Sequence, residues 1–181
     1  PRNPQEYVGV TLQEISRLIE DPPRTAKEEA QWAIFSRLLS RAHNEQRERG
    51  QFHNLWGDVD EIDGLTFDRV VDRTGEIISA DFMAYTSSGA TQNRQKARLI
   101  IPLASPVSGK EFVILQRVLN DKLEAAGITP DRATERAGQI CYLPNRGEFY
   151  DSFQIDLIGL FDPSVWHEEV KQIKNDQKAA Q

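Results

Sequence analysis

Apolar residues at Val10, Leu12, Ile15, Leu18 and Ile19 recur at three- and four-residue intervals, which predicts a helix over residues 10–20. Thr11 and Glu14 have the spacing of a capping box, and Asp21-Pro22-Pro23 ends the segment because proline cannot continue a helix. Thr25 reads as the cap of a longer helix over about 25–49, with Trp32, Phe35, Leu38, Leu39 and Ala42 as its buried stripe and Gly50 as its stop. Its charged end from Arg41 to Arg49, His43 included, is a solvated face. Residues 52–60 read as a strand. Thr66 or Asp68 caps a short helix over 66–73 through Phe67, Val70 and Val71, broken by Gly75. Residues 77–86 are β-rich and run into a polar loop of Ser, Gly, Thr, Gln and Asn. Residues 96–103 return as a strand, and Pro102 implies a far end without a ladder partner. Phe112, Leu115, Val118, Leu119 and Leu123 line one face of a helix over 108–126, ended by Gly127. Residues 138–143 and 153–159 predict two more strands, and Asp162-Pro163-Ser164 opens a last helix through Trp166, Val170 and Ile173.

From 52 to 143 the order is strand, helix, strand, strand, helix, strand. That is an α+β pattern, the βαββαβ order of RRM-like and ferredoxin-like cores. The chain then divides into an N-terminal helical arm (1–50), the core (51–160) and a C-terminal helix (161–181). In this topology the first and third strands lie side by side, and the fourth flanks the first on its other edge. Alternation places Lys96, Arg98 and Ile100 on one face of the third strand and Ala97, Leu99 and Ile101 on the other. The basic pair shares an open sheet face with Asp58 and Asp60, and the apolar set packs on the helices.

Asp58 and Asp60 bring in chemistry. Two carboxylates two residues apart on a strand stand side by side and repel unless a cation lies between them, and hard Mg²⁺ or Mn²⁺ suits such oxygens. The alternative is a strand running into a polar loop that Gly64 ends. Asp131, in Thr129-Pro130-Asp131-Arg132, is the best third acid, with Asp63 and Glu61 as rivals. From Ser87 to Arg117 the charges are Arg94, Lys96, Arg98, Lys110 and Arg117 against the single acid Glu111, so a metal facing a phosphate-bearing ligand is indicated. Ser87 and Ser88 with the turn's N–H groups can hold phosphate, or form an ordinary hairpin loop. Trp56 and Tyr142 can stack a base or pack in the core. Arg132, Arg136 and Arg146 can touch template phosphates or be surface charge.

The net charge of −6 argues against indiscriminate coating of nucleic acid. No apolar run approaches the length of a membrane span, and no signal peptide is visible. The single Cys141 forms no internal disulfide, which fits a reducing, cytoplasmic setting and a small core residue. The chain opens on Pro1 rather than methionine, which fits a processed product or a piece of something longer.

The ordered set Trp56-Gly57-Asp58-Val59-Asp60, Tyr85-Thr86-Ser87-Ser88, Lys96-Ala97-Arg98-Leu99-Ile100-Ile101-Pro102-Leu103 with Pro106-Val107, Asp131, and Gln139-Ile140-Cys141-Tyr142-Leu143-Pro144-Asn145 resembles the archaeo-eukaryotic primase superfamily. The primase-polymerase domains of plasmids, phages and integrated mobile elements are the nearer likeness, over roughly 52–146. The resemblance implies an RRM-like catalytic core beside a second small subdomain, making primers from nucleoside triphosphates on single-stranded DNA. It implies Asp58, Asp60 and Asp131 as the catalytic, metal-binding acids, with Arg98, then Lys96 and Arg94, on the triphosphate. A helicase domain in the parent chain would fit such a role. The chain departs from the family at Ser87-Ser88-Gly89, where many members carry Ser-x-His, and at Pro130, where an apolar neighbour is usual. Two further readings remain: a metal-dependent nuclease using the same acids, and a non-catalytic nucleic-acid-binding module.

Overall fold

The structure is a computed structural model that describes residues 6–60 and 64–180. Its centre is a four-stranded antiparallel sheet in the order β2-β4-β3-β6, formed by β2 (Gln51–Val59), β4 (Ala97–Ser108), β3 (Met83–Thr86) and β6 (Ser152–Gln154). Helix α3 (Phe67–Ile78) connects β2 to β3, and β4 returns between them antiparallel to both. This is the split βαβ half of the expected order. Asp58 pairs with Arg98 and Trp56 with Ile100, as the adjacency of first and third strands predicts.

The fourth strand departs from expectation. Only Cys141–Tyr142 (β5) is extended, and it pairs with Trp32–Ala33 (β1) in a separate two-stranded sheet. The free edge of β2 is met instead by three different groups. At its start His53 N–H donates to the Phe35 carbonyl and Ser36 bridges Phe52. In its middle the buried Gln116 amide accepts from Trp56 N–H at 2.9 Å and donates to the Trp56 carbonyl at 2.8 Å. At its end Asp131 N–H donates to the Asp58 carbonyl at 2.7 Å. Backbone groups of a buried edge must be paired, and here a side chain serves where a strand would.

Gln116 belongs to α4 (Gly109–Ala125), which begins at the Ser108–Glu111 capping box and ends at Gly127, whose φ of +78° suits a residue without Cβ. Phe112 from this helix stacks on Phe52 at 3.8 Å. Helix α1 (Leu12–Glu20) carries the predicted Thr11–Glu14 box and buries Ile15 and Ile19. After a 3₁₀ turn at Pro163–Trp166, α5 (His167–Ala179) closes the chain against α4.

The long helix over 25–49 does not form. Residues 27–29 make a single 3₁₀ turn, Trp32–Ala33 is β1, and only α2 (His43–Arg49) is helical. Ser36 and Ser40 hydroxyls accept from the N–H groups of Leu38 and Ala42, local bonds that compete with a helix ladder. Ala33 and Phe35 are buried, and the partners of β1 outweigh the helical spacing. Gly75 does not break α3, which runs on to Ile78 and ends at Ser79 in the left-handed region, φ 49°. Ile77 and Ile78 are therefore helical, and the second core strand starts only at Met83. Of the strand expected over 153–159, only Ser152–Gln154 forms. The far end expected to lack a ladder partner has one: residues 103–106 of β4 leave the β2 register, with Leu103 bridging Phe161, and pairing resumes at Val107 with Phe52 and Ser108 with Gln51.

Neither sheet face is open. One side, through Leu55, Val59, Ala97, Leu99 and Ile101, is sealed in the core. The other carries Trp56, Asp58, Tyr85 and Arg98, and is roofed by β5 and flanked by α1. Tyr85 donates to the Tyr142 carbonyl at 2.6 Å, Tyr150 to the Ile19 carbonyl at 2.6 Å, and Ser16 to the Gln154 side chain at 2.9 Å. The expected open platform is thus reduced to a cleft at the Asp58 end.

If the Gln116 amide holds the β2 edge, Gln116→Leu leaves a buried N–H and C=O unpaired and is expected to cost roughly 2–3 kcal/mol in urea unfolding. Ser108→Ala, which removes only a cap, is expected to cost about 1 kcal/mol. Equal, small losses for the two would show that the edge finds other partners.

Candidate metal and nucleotide site

Asp58 lies near the end of β2, Asp60 just past it, and Asp131 caps the 3₁₀ turn Arg132–Glu135 that follows α4. Asp131 accepts from Ala133 N–H at 2.8 Å through Oδ1. One carboxylate oxygen from each of the three acids lies within 4.8 Å of the others. The backbone bond from Asp131 to Asp58 brings the third acid in, so the turn reaches the pair although no fourth strand does. Glu61 and Asp63, the rival acids, lie outside the described residues.

Two cations face the acids. Arg98 Nε stands 3.5 Å from Asp58 Oδ1, and Lys96 Nζ stands 3.4 Å from Asp60 Oδ1. The first pair is deeply set, with side-chain exposures of 13% and 15%. It is an ion pair without hydrogen-bond alignment, and neither Arg98 Nε nor Asp58 Oδ1 has a hydrogen-bond partner among the described residues. Burial raises the Asp58 pKa above the ordinary carboxylate value, Arg98 opposes that, and the neighbouring Asp60 and Asp131 add to it. Burial pulls the Arg98 pKa down, but Asp58 and then Tyr85 outweigh it and the guanidinium stays charged. Behind it, burial pushes the Cys141 thiol up to about 12, so this cysteine is an inert neighbour of the Tyr85 hydroxyl.

A buried carboxylate oxygen without a hydrogen bond, beside two more carboxylates, is a donor set suited to a hard divalent cation. Asp58, Asp60 and Asp131 would hold it, and Mg²⁺ and Mn²⁺ both match all-oxygen ligation.

The rim of the cleft is built from three loops. Ser87 is buried, with its N–H on the Lys96 carbonyl, and Ser88 is exposed at the hairpin turn. A Cβ at Gly147 would collide with the Ser88 carbonyl, so the loop after β5 abuts that turn only because residue 147 is glycine. Asn145 clamps the N-terminal segment, accepting from Thr25 N–H and donating to the Thr25 carbonyl, both at 2.9 Å. Tyr142 lies between these parts, with Arg98 Cζ and Lys27 Nζ each 5.7 Å from its ring centroid. Lys27 escapes sequence reasoning because it sits in a charged run with no periodic or motif signal.

The remaining predicted residues are dispersed. Arg94 is exposed on a tight turn with Thr91 and forms no ion pair among the described residues. Trp56 is 3% exposed, so it is a core residue and no stacking platform. Arg132 is held by Asp121 (2.7 Å), Glu135 (2.8 Å) and Glu124 (2.9 Å), which ties the 3₁₀ turn to α4 and leaves little charge for a template. Arg136 bonds Gln139, and Arg146 lies 5.3 Å from the Tyr150 ring centroid; both are exposed.

Among solved structures, the chain is similar to the AEP domain (PP-N190) of the cyanophage S-2L primase-polymerase (PrimPol), with a TM-score of 0.53 and 15% identity over 89% of this chain and 77% of that one. No family model matches the sequence, and no curated protein matches it. At that identity the likeness is one of fold: a mixed α/β chain consistent with an AEP-type core. Among the described residues no helix is long and apolar enough to cross a membrane.

Three converging acids store repulsion that a cation relieves. Asp131→Asn keeps a capping side chain while removing one charge. It is expected to leave the metal-free protein as stable as wild type or up to about 2 °C more stable. The same change should abolish most of the rise in Tm that Mn²⁺ produces in wild type. A clear fall in metal-free Tm, or an undiminished Mn²⁺ response, would exclude the shared site.

Proposed function

We propose that this chain is a primase-polymerase catalytic domain, extending primers from nucleoside triphosphates on single-stranded DNA with Mg²⁺ or Mn²⁺. The observation that carries the reading is the convergence of Asp58, Asp60 and Asp131 opposite Lys96 and Arg98, on a fold similar to a primase-polymerase AEP domain. Replication of a mobile element is the setting in which such a domain fits, and a helicase domain elsewhere in a parent chain is compatible with it.

In this reading Asp58, Asp60 and Asp131 hold the divalent ion, which when bound neutralises charge on the phosphates and on the attacking and leaving oxygens. Lys96 reaches the triphosphate from the partly exposed side. Arg98 serves from below, its guanidinium fixed between Asp58 and the Tyr142 ring. At Ser87-Ser88-Gly89 the chain has Gly89 where many members of that superfamily carry the Ser-x-His histidine, so positive charge for the triphosphate comes from Lys96 and Arg98 instead. Positioning and electrostatic stabilisation are the main demands of phosphoryl and nucleotidyl transfer, and the residues of the cleft are suited to both.

The test is a labelled primer annealed to a template, incubated with Mn²⁺ and nucleotides. Extension by wild type is expected, with Asp60→Asn and Asp58→Ala slower by at least about a hundredfold. Circular dichroism and thermal unfolding confirm that each variant is folded. Shortening of the oligonucleotide without extension would replace the polymerase by a nuclease. Metal-independent binding with neither product would leave a non-catalytic module.

A further inference from the structure

The small sheet of β1 and β5 sets Trp32 directly opposite Tyr142 and Ala33 opposite Cys141. Opposed residues on antiparallel strands share a face, with Cβ atoms roughly 4.5–5.5 Å apart. The Ala33 and Cys141 side is buried, with the thiol 3.6 Å from the Tyr85 hydroxyl. The Trp32 and Tyr142 side therefore turns away from the core, and both residues are half-buried.

Cations attend both rings. The Arg41 guanidinium lies 5.1 Å from the Trp32 centroid, and Tyr7 approaches the same ring edge-on at 5.8 Å. Lys27 and Arg98 flank Tyr142, each at 5.7 Å. Arg136 adds positive charge near His43, where Arg41 is also felt. The nearby acids are Glu28 and Glu29, next to Lys27 in the chain, and Glu6, next to Tyr7. An aromatic pair alone would be explained by the stability of a two-residue sheet. Partly exposed rings with a cation at each, one of them beside the Arg98 that pairs with Asp58, match instead the way single-strand binders combine stacking with backbone charge.

We propose that Trp32 and Tyr142 form a stacking platform for the bases of a single-stranded nucleic acid, with Lys27 and Arg41 holding its phosphates. The strand's role as template rests on the primase-polymerase reading; its binding does not. Tyr142 links the platform to the cleft, because its ring neighbours Arg98, which pairs with Asp58. A base stacked on Tyr142 is thus presented beside the acids, where a templating base is needed.

The chain carries a convenient reporter. Of its three tryptophans, Trp56 is 3% and Trp166 4% exposed, so Trp32 is the one open to a stacked base. Titration of the full chain with an oligothymidylate of about twelve nucleotides, without metal or nucleotide, should quench tryptophan emission saturably. Quenching should survive Trp56→Phe. In fluorescence anisotropy, Trp32→Leu combined with Tyr142→Leu should weaken binding by about tenfold or more. Lys27→Ala and Arg41→Ala, at exposed positions that cannot unfold the domain, should each weaken binding and lower the salt slope by roughly one. They decide the matter if the double leucine variant fails to fold. Wild-type affinity in the substituted proteins, binding without quenching, or no saturable binding of the oligonucleotide each overturns the platform. Primer extension assayed alongside separates the two claims. Extension that persists while the substitutions leave affinity untouched removes only the platform, and quenching without extension removes only the polymerase.

Discussion

The register between β2 and β4 is the constraint on which the site depends. It sets Asp58 against Arg98 and, two residues on, brings Asp60 within reach of Lys96. Strand side chains alternate, so a slip of one residue would turn both aspartates to the opposite face and bury them against Leu99 and Ala97. The register is fixed at both ends. Phe52, stacked on Phe112, anchors the start beside the irregularity at 52–54, and the Gln116 amide clamps Trp56 just before the acids. Helix α4 thus sets the position of the carboxylates without contributing one.

That clamp also explains why part of the fold was legible in the sequence and part was not. The capping box at Thr11, the amphipathic face of α4 and the adjacency of β2 and β4 follow from local spacing, and each forms as its pattern predicts. The fourth strand failed because β2 finds its edge partners in Gln116, Phe35 and Asp131, none of which announces itself in a periodic pattern. The helix over 25–49 failed for a related reason: β1 exists only because Tyr142 and Cys141, more than a hundred residues away, pair with it. The acid pair was readable because a strand fixes its own side-chain spacing, whereas Asp131 was chosen for a fourth strand that does not form beside β2 and is brought in by its own N–H on the Asp58 carbonyl. Which aromatic is exposed depended on the roof over the sheet: Trp56, open to either stacking or core packing, lies in the core, and Trp32, expected on a buried stripe, is only partly buried.

The charges of the cleft carry a cost for the fold. Asp58 and Arg98 are mostly removed from water, at a distance too long and too poorly aligned for a good hydrogen bond. A buried ion pair offsets its desolvation only when its geometry is favourable, and Asp60 and Asp131 make matters worse for Asp58. Elsewhere the chain pairs its charges closely, as where Arg132 takes three carboxylates at 2.7–2.9 Å. The same residue types therefore serve different ends: around Arg132 they hold the 3₁₀ turn to α4, and at Asp58 they leave an oxygen unpaired. Unpaired buried oxygens also occur at Gln46, Asn54, Thr74 and Asn120, and what sets Asp58 apart from them is the two further carboxylates beside it.

The roof changes what this sheet can do. In open-faced modules, bases stack directly on aromatics of the central strands. Here those positions hold Trp56, Tyr85 and Ile100, all buried, because α1 and the β1–β5 sheet lie over or beside them. A strand of nucleic acid cannot reach the sheet, and only the end carrying Asp58 and Asp60 stays accessible. The roof itself carries partly exposed aromatics, Trp32 and Tyr142, with Arg41 and Lys27 beside them. Tyr142 also takes the Tyr85 hydroxyl on its carbonyl and lies beside Arg98 with its ring, so one residue joins roof, sheet and acids. Covering the sheet face at Tyr85 and setting Tyr142 beside Arg98 are thus two consequences of a single packing event, the pairing of β1 with β5.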